Sequence, residues 1–274
     1  MSSINTFAQA NINEKLSIKQ LFWGSRLVDQ QTTSVVAKHS LNFEILHRFG
    51  TIANGFDDIF GMYASSNISM GLQYAIFNKM EIHFFSEKQN KTQEFGFKYQ
   101  ILRQSINNKI PISLTFYSNI AIDARNKSKF GINYKFTDRL FYTNQLIVSK
   151  QINYKFNIHL SVAYVHFNAV EKLYIHNKLD INTAIACMVF KNKSLFISYQ
   201  QPLGLKPINN TQNKPKSGLA FGFETSSHTH NFQVFMTTRD NIILAKDVLN
   251  NNNSISFNNF RLGFNIQVKI SNYK

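Results

Sequence analysis

The chain of 274 residues has one cysteine, four prolines and no apolar run near the length of a membrane-spanning helix, which needs about 18 to 20 residues. With Cys187 alone, an intrachain disulfide and a cysteine-based metal site are both excluded. The four prolines lie at strand ends or in loops, where a missing N–H removes no hydrogen bond from a sheet. These absences argue against a helical membrane protein and leave extended structure open.

Motifs that would indicate an enzyme are also missing. The sequence has no GxSxG, HExxH, P-loop or GxGxxG element. His228 and His230 would share one face of a strand, but no third ligand is identifiable near them, so a turn or solvated role is expected in place of a metal site. We predict that the protein is not an enzyme and uses no metal or cofactor.

Acidic residues are scarce: 15 Asp and Glu stand against 30 Lys and Arg, a formal charge of +15. The lysines are spread along the chain, often beside asparagine, and no block of five or more like charges occurs, so nucleic-acid binding is not expected. Two readings of the charge stay open. Lys, Asn, Ile and Phe could all be inflated by AT-rich codon usage, or the charge could give a lumen a preference for anions.

What the sequence does contain is alternation of apolar and polar residues, and its last stretch, residues 258–270, shows this most plainly. Phe264 and Ile266 fall on one parity, and Arg261, Asn265 and Lys269 fall on the other. An extended strand would therefore have one apolar and one polar face. Cations and amides cannot line a dry core, but they suit a wet lumen whose outside contacts lipid.

Twelve segments follow this pattern. They are residues 39–50, 66–77, 79–87, 92–104, 110–122, 138–150, 155–167, 178–190, 194–202, 217–226, 230–239 and 258–270. Most have 9 to 13 residues, against the roughly 9 to 11 that cross a bilayer at a tilt and the five or six usual in globular sheets. Segment 129–136 alternates as well, so an extra hairpin or a different register is an alternative there.

The connectors alternate between long loops and tight turns. The long class comprises residues 50–65, 88–91, 123–137, 168–177, 203–216 and 240–254, of which only 88–91 is short. An even strand number with this alternation is typical of single-chain outer-membrane barrels, and a soluble sandwich would not enforce it. We predict an all-β fold: one antiparallel, up-and-down transmembrane β-barrel of about twelve strands, spanning residues 39–274.

Residues 1–38 are predicted to be a leader segment that precedes this barrel domain. The first 20 residues lack a cationic region followed by an apolar one, so no intact secretory signal is visible, which taken literally favours the cytoplasm. FAQA at residues 7–10 has the small-x-small form of a cleavage-site remnant. The missing signal is the main conflict with a membrane location.

Charged residues on the inward parity are the candidate lumen groups. They are Glu44, Arg48, Glu81, Glu94, Lys98, Asp180, Glu224, Arg239, Arg261 and Lys269. Both signs occur, so these side chains could brace a narrow interior through cross-strand pairs or line an aqueous path. At about twelve strands a barrel can be plugged or can hold a narrow channel, and the pattern alone does not choose.

Several segments together resemble a family of membrane-bound β-barrels of unknown function from bacterial outer membranes. The most specific pieces are HRFG at 47–50, YVHFN at 164–168, and the ending GFET, HNFQV and FRLGFNI between residues 222 and 266. The resemblance runs from about residue 21 to the C-terminus. It implies an outer-membrane barrel and carries over no activity, ligand or catalytic residue. The chain departs from the family in lacking a signal peptide and in having Asn or Lys at many acidic positions.

Three functional hypotheses follow. The first is a monomeric barrel in the bacterial outer membrane, in contact with its lipid, that forms a narrow pore for small solutes or an anionic ligand through a polar lumen. The second is a plugged structural barrel whose long extracellular loops bind a partner or surface ligand. The third, a soluble lipid-binding barrel, rests on the missing signal.

Overall fold

A computed structural model describes residues 22–172, 174–204 and 214–271. A short hairpin of β1 (Arg26–Leu27) and β2 (Gln30–Gln31) precedes a closed barrel in which every strand pairs antiparallel with its sequence neighbours and the last pairs with the first. The barrel strands are β3 (Ser40–Thr51), β4 (Asn67–Phe77), β5 (Met80–Glu87), β6 (Thr92–Leu102), β7 (Ser113–Asp123), β8 (Leu140–Gln151), β9 (Phe156–Phe167), β10 (Asn177–Phe190), β11 (Lys193–Gly204), β12 (Gly218–Ser226), β13 (His230–Thr237) and β14 (Arg261–Ser271).

The predicted fold class and the count of twelve barrel strands are confirmed. One turn is longer than predicted: β6 ends at Leu102 and β7 begins at Ser113. Between them the backbone makes local bonds in place of ladder bonds, since Gln104 N–H donates to Ser113 Oγ at 2.9 Å and Ser105 N–H donates to Ile110 O at 3.0 Å.

The extra hairpin considered at residues 129–136 is not formed. The segment begins within one 3₁₀ turn, Lys127–Phe130, and ends at the start of another, Phe136–Arg139. The Asn126 side chain accepts from Ser128 N–H at 3.0 Å and starts the first turn. Ile132 is fully exposed, so the apolar residues of this alternating segment do not pack on the face of a sheet.

Burial alternates along the strands with the polar side chains inside. In β9, Asn157, His159 and Ser161 are buried, while Ile158 and Leu160 are exposed. This is the reverse of a soluble protein, and it places the apolar band where lipid would lie. Among the described residues no helix is long and apolar enough to cross a bilayer.

The two ends of the barrel differ in their connectors. The turn end has connectors 78–79, 103–112, 152–155, 191–192 and 227–229, and the loop end has connectors 52–66, 88–91, 124–139, 168–176, 205–217 and 238–260. The last loop-end connector contains the only α-helix among the described residues, α1 (Leu244–Asn250). The ends are called the turn end and the loop end below.

An inward-facing glycine makes room for an aromatic ring on the inner wall. A Cβ on Gly71 would lie 2.3 Å from Phe85 Cδ1 and 2.4 Å from the carbonyl oxygen of Phe84. Phe85 is fully buried, and the Arg26 guanidinium stacks 4.3 Å from its ring centroid. Any side chain at position 71 would therefore push the ring toward Arg26.

We expect Gly71→Val to destabilise the barrel by about 1 to 3 kcal/mol, the usual cost of overpacking a filled interior. The measurement is the temperature at which the folded band converts to the unfolded band on a gel. Met70→Val is the matched control, because Met70 is the neighbouring residue on the exposed outer face. An unchanged conversion temperature for Gly71→Val would contradict the packing argument.

Candidate functional site in the barrel lumen

Residues 22–38, which the sequence separates from the barrel domain, are called the inner hairpin. Residues 22–36 lie inside the barrel, and residues 37–38 are exposed at its turn end. The segment enters at the turn end, where Gly24 N–H donates to Glu224 at 3.2 Å. It turns at Val28–Asp29 near mid-barrel and returns to the turn end, where Val36 N–H donates to Glu81 at 2.8 Å. The lumen of the turn-end half is therefore occupied by the chain itself.

The tip of the inner hairpin has an unusual backbone conformation. Val28 has a φ of 61°, a value that branched residues rarely adopt. Its N–H donates to Gln233 at 3.1 Å, and its carbonyl oxygen accepts from Asn265 Nδ2 at 2.6 Å. The strained conformation thus persists because wall side chains hold both sides of the peptide.

Wall side chains also satisfy the backbone carbonyls of the inner hairpin. Lys98 Nζ donates to Ser25 O at 3.0 Å and to Ser34 O at 3.1 Å. Gln100 Nε2 donates to Thr33 O at 2.9 Å. Buried carbonyl groups need such partners, and here side chains of the wall supply what a sheet neighbour normally would.

Ion pairs join the inner hairpin to the wall in two places. Arg26 Nε lies 3.4 Å from Glu44 Oε2. Asp29 at the tip pairs with Arg239, and both side chains are fully buried. Arg239 also donates to Ser198 Oγ at 2.6 Å. The tip contact fixes the hairpin to the loop-end half of the barrel.

The last loop-end connector folds inward over the same lumen. Residues 240–251, which include α1, are called the helical cap. Ile243 and Val248 are buried in one cluster with the wall residues Phe141 and Phe167. Lys246 Nζ lies 2.8 Å from Asp123 at the end of β7. The helical cap therefore packs against the wall inside the loop end and narrows the lumen there.

One carboxyl group of the helical cap is buried. Asp247 Oδ1 accepts from Asp240 N–H at 3.0 Å and from Asn241 N–H at 3.2 Å. Burial, together with the nearby Asp29 carboxylate, raises the pKa of Asp247 to about 8, although Arg239 acts in the opposite direction. The cap is thus electrostatically coupled to the hairpin tip.

The charged residues proposed from the sequence as lumen groups are distributed around the wall. Eight of them are no more than 5% exposed: Glu44, Arg48, Glu81, Glu94, Lys98, Asp180, Glu224 and Arg239. Five of the eight hold the inner hairpin directly, namely Glu44, Glu81, Lys98, Glu224 and Arg239. The set therefore surrounds the hairpin and does not converge on one catalytic centre.

The other members make separate contacts. Arg48 stacks 4.3 Å from the Phe235 centroid, and Glu94 accepts from Asn119 at 2.7 Å. Asp180 is buried in β10 with Arg239 as a charged neighbour. Arg261 pairs with Asp240 at 2.7 Å at the loop end, and Lys269 is half-buried at the turn end.

Sequence reasoning missed Arg26, Asp29 and Asp247. The first two lie in a stretch without alternation, and Asp247 lies in a connector, so no strand pattern marks any of them. Among the described residues no group of three or more His, Cys, Asp or Glu is arranged to hold a metal ion.

Comparison with known proteins identifies one matching family and several solved structures with a similar fold. The model of a family described as a membrane bound beta barrel domain matches residues 22–269. An outer membrane channel from Pseudomonas putida F1 is similar with a TM-score of 0.54 at 13% identity, covering 86% of this chain and 97% of that one. The KdgM porin has a TM-score of 0.51 at 7% identity and covers 85% and 99%. No curated protein matches the chain.

Proposed function

We propose that this chain, which belongs to the family of membrane-bound β-barrel domains, forms a narrow outer-membrane pore for small polar solutes. The inner hairpin holds this pore shut. Membership rests on the match over residues 22–269. The similar solved folds are porins and an outer membrane channel, which supports the outer membrane as the location. The family's membrane association speaks against the soluble lipid-binding barrel. In this proposal the turn end faces the periplasm, since barrels of this class have short periplasmic turns.

The observation that carries the proposal is the polar filling of the lumen. Twelve strands at the usual spacing and tilt enclose a backbone diameter of about 24 Å, and inward side chains leave room for roughly one hairpin. Hydrogen bonds hold this hairpin, and each contributes only about 0.5 to 1.5 kcal/mol net because water can replace either partner. A polar plug of this kind can leave, whereas an apolar plug would resist hydration.

The solute we favour is a small anion. The chain carries a formal charge of +15, and this excess lies outside the eight buried wall groups, which comprise five carboxyl groups and three cations. The KdgM porin, similar in fold at 8% identity and a TM-score of 0.51, was solved in complex with disordered oligogalacturonate. Oligogalacturonate is a ligand of KdgM. It supports an anionic solute for this chain only in combination with the positive charge of this chain.

One observation favours the second function, a plugged barrel that binds a partner through its loops. Phe56, Tyr63 and Phe257 in the loop-end connectors are more than 70% exposed. The helical cap, in contrast, is directed into the lumen and offers little outer surface. Partner binding would therefore involve connector 52–66 and the segment around Phe257 before the helical cap.

The test is to replace residues 24–34 by a Gly-Ser sequence of equal length and record planar-bilayer conductance. We expect discrete steps that are rare in the unaltered protein, because a flexible Gly-Ser segment cannot supply the wall contacts. The same replacement of residues 127–133, in an exposed loop-end connector, is the control and should leave the pore closed. A heat-modifiable barrel without conductance would instead favour the plugged barrel.

A further inference from the structure

A cavity of about 450 Å³ opens at the turn end between the root of the inner hairpin and the wall. Its charged and aromatic lining residues are Trp23, Lys38, Arg103, His228, His230 and Lys269. No Asp or Glu occurs among the described residues that line it. The remaining lining is rich in serine and amide side chains, so the walls are polar and positively charged.

The three cations reach the cavity from separate elements. Lys38 ends the inner hairpin, Arg103 follows β6, and Lys269 lies in β14. Arg103 Nε donates to Gln100 Oε1 at 2.7 Å, which fixes the stem of that side chain against the wall. A solvated basic face normally lies on a single element. The three cations of this cavity come from three different elements.

The carboxylates next to the cavity are engaged elsewhere. Glu224 accepts from Asn231 at 3.0 Å and from Gln233 at 2.9 Å. Glu81 accepts from Val36 N–H at 2.8 Å and pairs with Lys98 at 3.2 Å. Lys98 balances the charge of Glu81, the amides satisfy the oxygens of Glu224, and among the described residues neither carboxylate pairs with a cation of the cavity.

We propose that this cavity is a binding site for small multiply charged anions that carry carboxylate or phosphate groups. Lysine and arginine donors match such oxygens, and a few convergent polar groups beside an aromatic wall are the usual form of a ligand site. This inference rests on the proposed pore, for which the site would select anions at the periplasmic entrance. Binding itself can be measured whether or not the pore conducts.

Trp23 is the only tryptophan and lines the cavity, so its fluorescence reports occupancy. The full chain in detergent is titrated with citrate in one arm and inorganic phosphate in the other. We expect a saturable change that weakens about tenfold in Lys38→Gln/Arg103→Gln/Lys269→Gln, the combined effect of losing three solvent-exposed ion pairs. Raising the salt concentration should also weaken it.

The matched control is Lys127→Gln/Lys129→Gln/Lys135→Gln, which removes the same charge from the opposite end of the barrel and should keep the original affinity. Saturation with citrate alone or phosphate alone assigns the chemical class, and saturation with both supports a general anion site. An unchanged titration in the first variant, or an equal response to chloride, would overturn the site. Binding to the unaltered chain, together with an absence of conductance in the hairpin-replaced protein, would instead overturn the pore and leave the site standing.

Discussion

Asp29→Ala is expected to convert a mostly closed barrel into one that opens frequently. Asp29 pairs with Arg239, and both side chains are fully buried. Removing Asp29 leaves Arg239 without its ion-pair partner, although Asp180 and Asp247 still interact with it electrostatically. Breaking a buried pair costs about 3 to 5 kcal/mol. That cost falls on the closed state alone, so the ratio of closed to open molecules should drop by about 10² to 5 × 10³. Open probability in planar bilayers measures it.

Two comparisons separate this effect from general damage. Asp29→Leu with Arg239→Met should restore closure, because replacing a buried pair by apolar residues of similar size is often neutral or stabilising. Asp240→Ala removes a pair with Arg261 in which the aspartate is 39% exposed, and it should leave gating unchanged. An Asp29→Ala protein that stays as closed as the original would refute the role of the tip pair.

The barrel could be predicted from sequence because lipid and lumen impose opposite polarity on alternate residues. Strand β9 is an example, with Asn157, His159 and Ser161 facing inward and Ile158 and Leu160 facing outward. A polarity pattern that repeats every two residues predicts such a strand directly. The predicted strand ends were less exact where local hydrogen bonds replace those between strands, as at Gln104 and Ser105.

The inner hairpin could not be predicted in the same way. Its strands β1 and β2 have two residues each, too few for any periodicity. Its partners are remote: Gly24 and Glu224 are 200 residues apart, and Val28 and Asn265 are 237 apart. The lack of alternation that marks residues 22–38 as a leader does not reveal that their backbone groups bond with a polar wall.

The helical cap escaped prediction for a related reason. With seven residues, α1 is too short to be stable without tertiary packing, so its sequence carries little helical signal. Its apolar side chains Ile243 and Val248 instead match Phe141 and Phe167 on the wall. Hairpin and cap thus enter the lumen from opposite ends, and Asp247 of the cap interacts electrostatically with Asp29 and Arg239 at the hairpin tip.

This connection predicts that docking of the helical cap depends on pH. The pKa of Asp247 is about 8 in the docked cap, against an ordinary value of 3.8, because burial and the Asp29 carboxylate disfavour its charged form. The docked state therefore holds a proton that the undocked state releases. Docking should be strongest below about pH 4 and should weaken by up to about 1.4 kcal/mol per pH unit until about pH 8, then stay constant.

The measurement is the thiol-labelling rate of Ala245→Cys, a small and buried cap position, with Cys187 replaced by serine. The same thiol is labelled in Asp247→Asn, which cannot ionise, and the ratio of the two rates cancels the pH dependence of thiol reactivity. We expect the aspartate protein to label faster by up to about tenfold per pH unit between pH 4 and 8, and to reach a plateau above. A ratio that stays flat with pH would mean that Asp247 does not hold a proton in the docked cap.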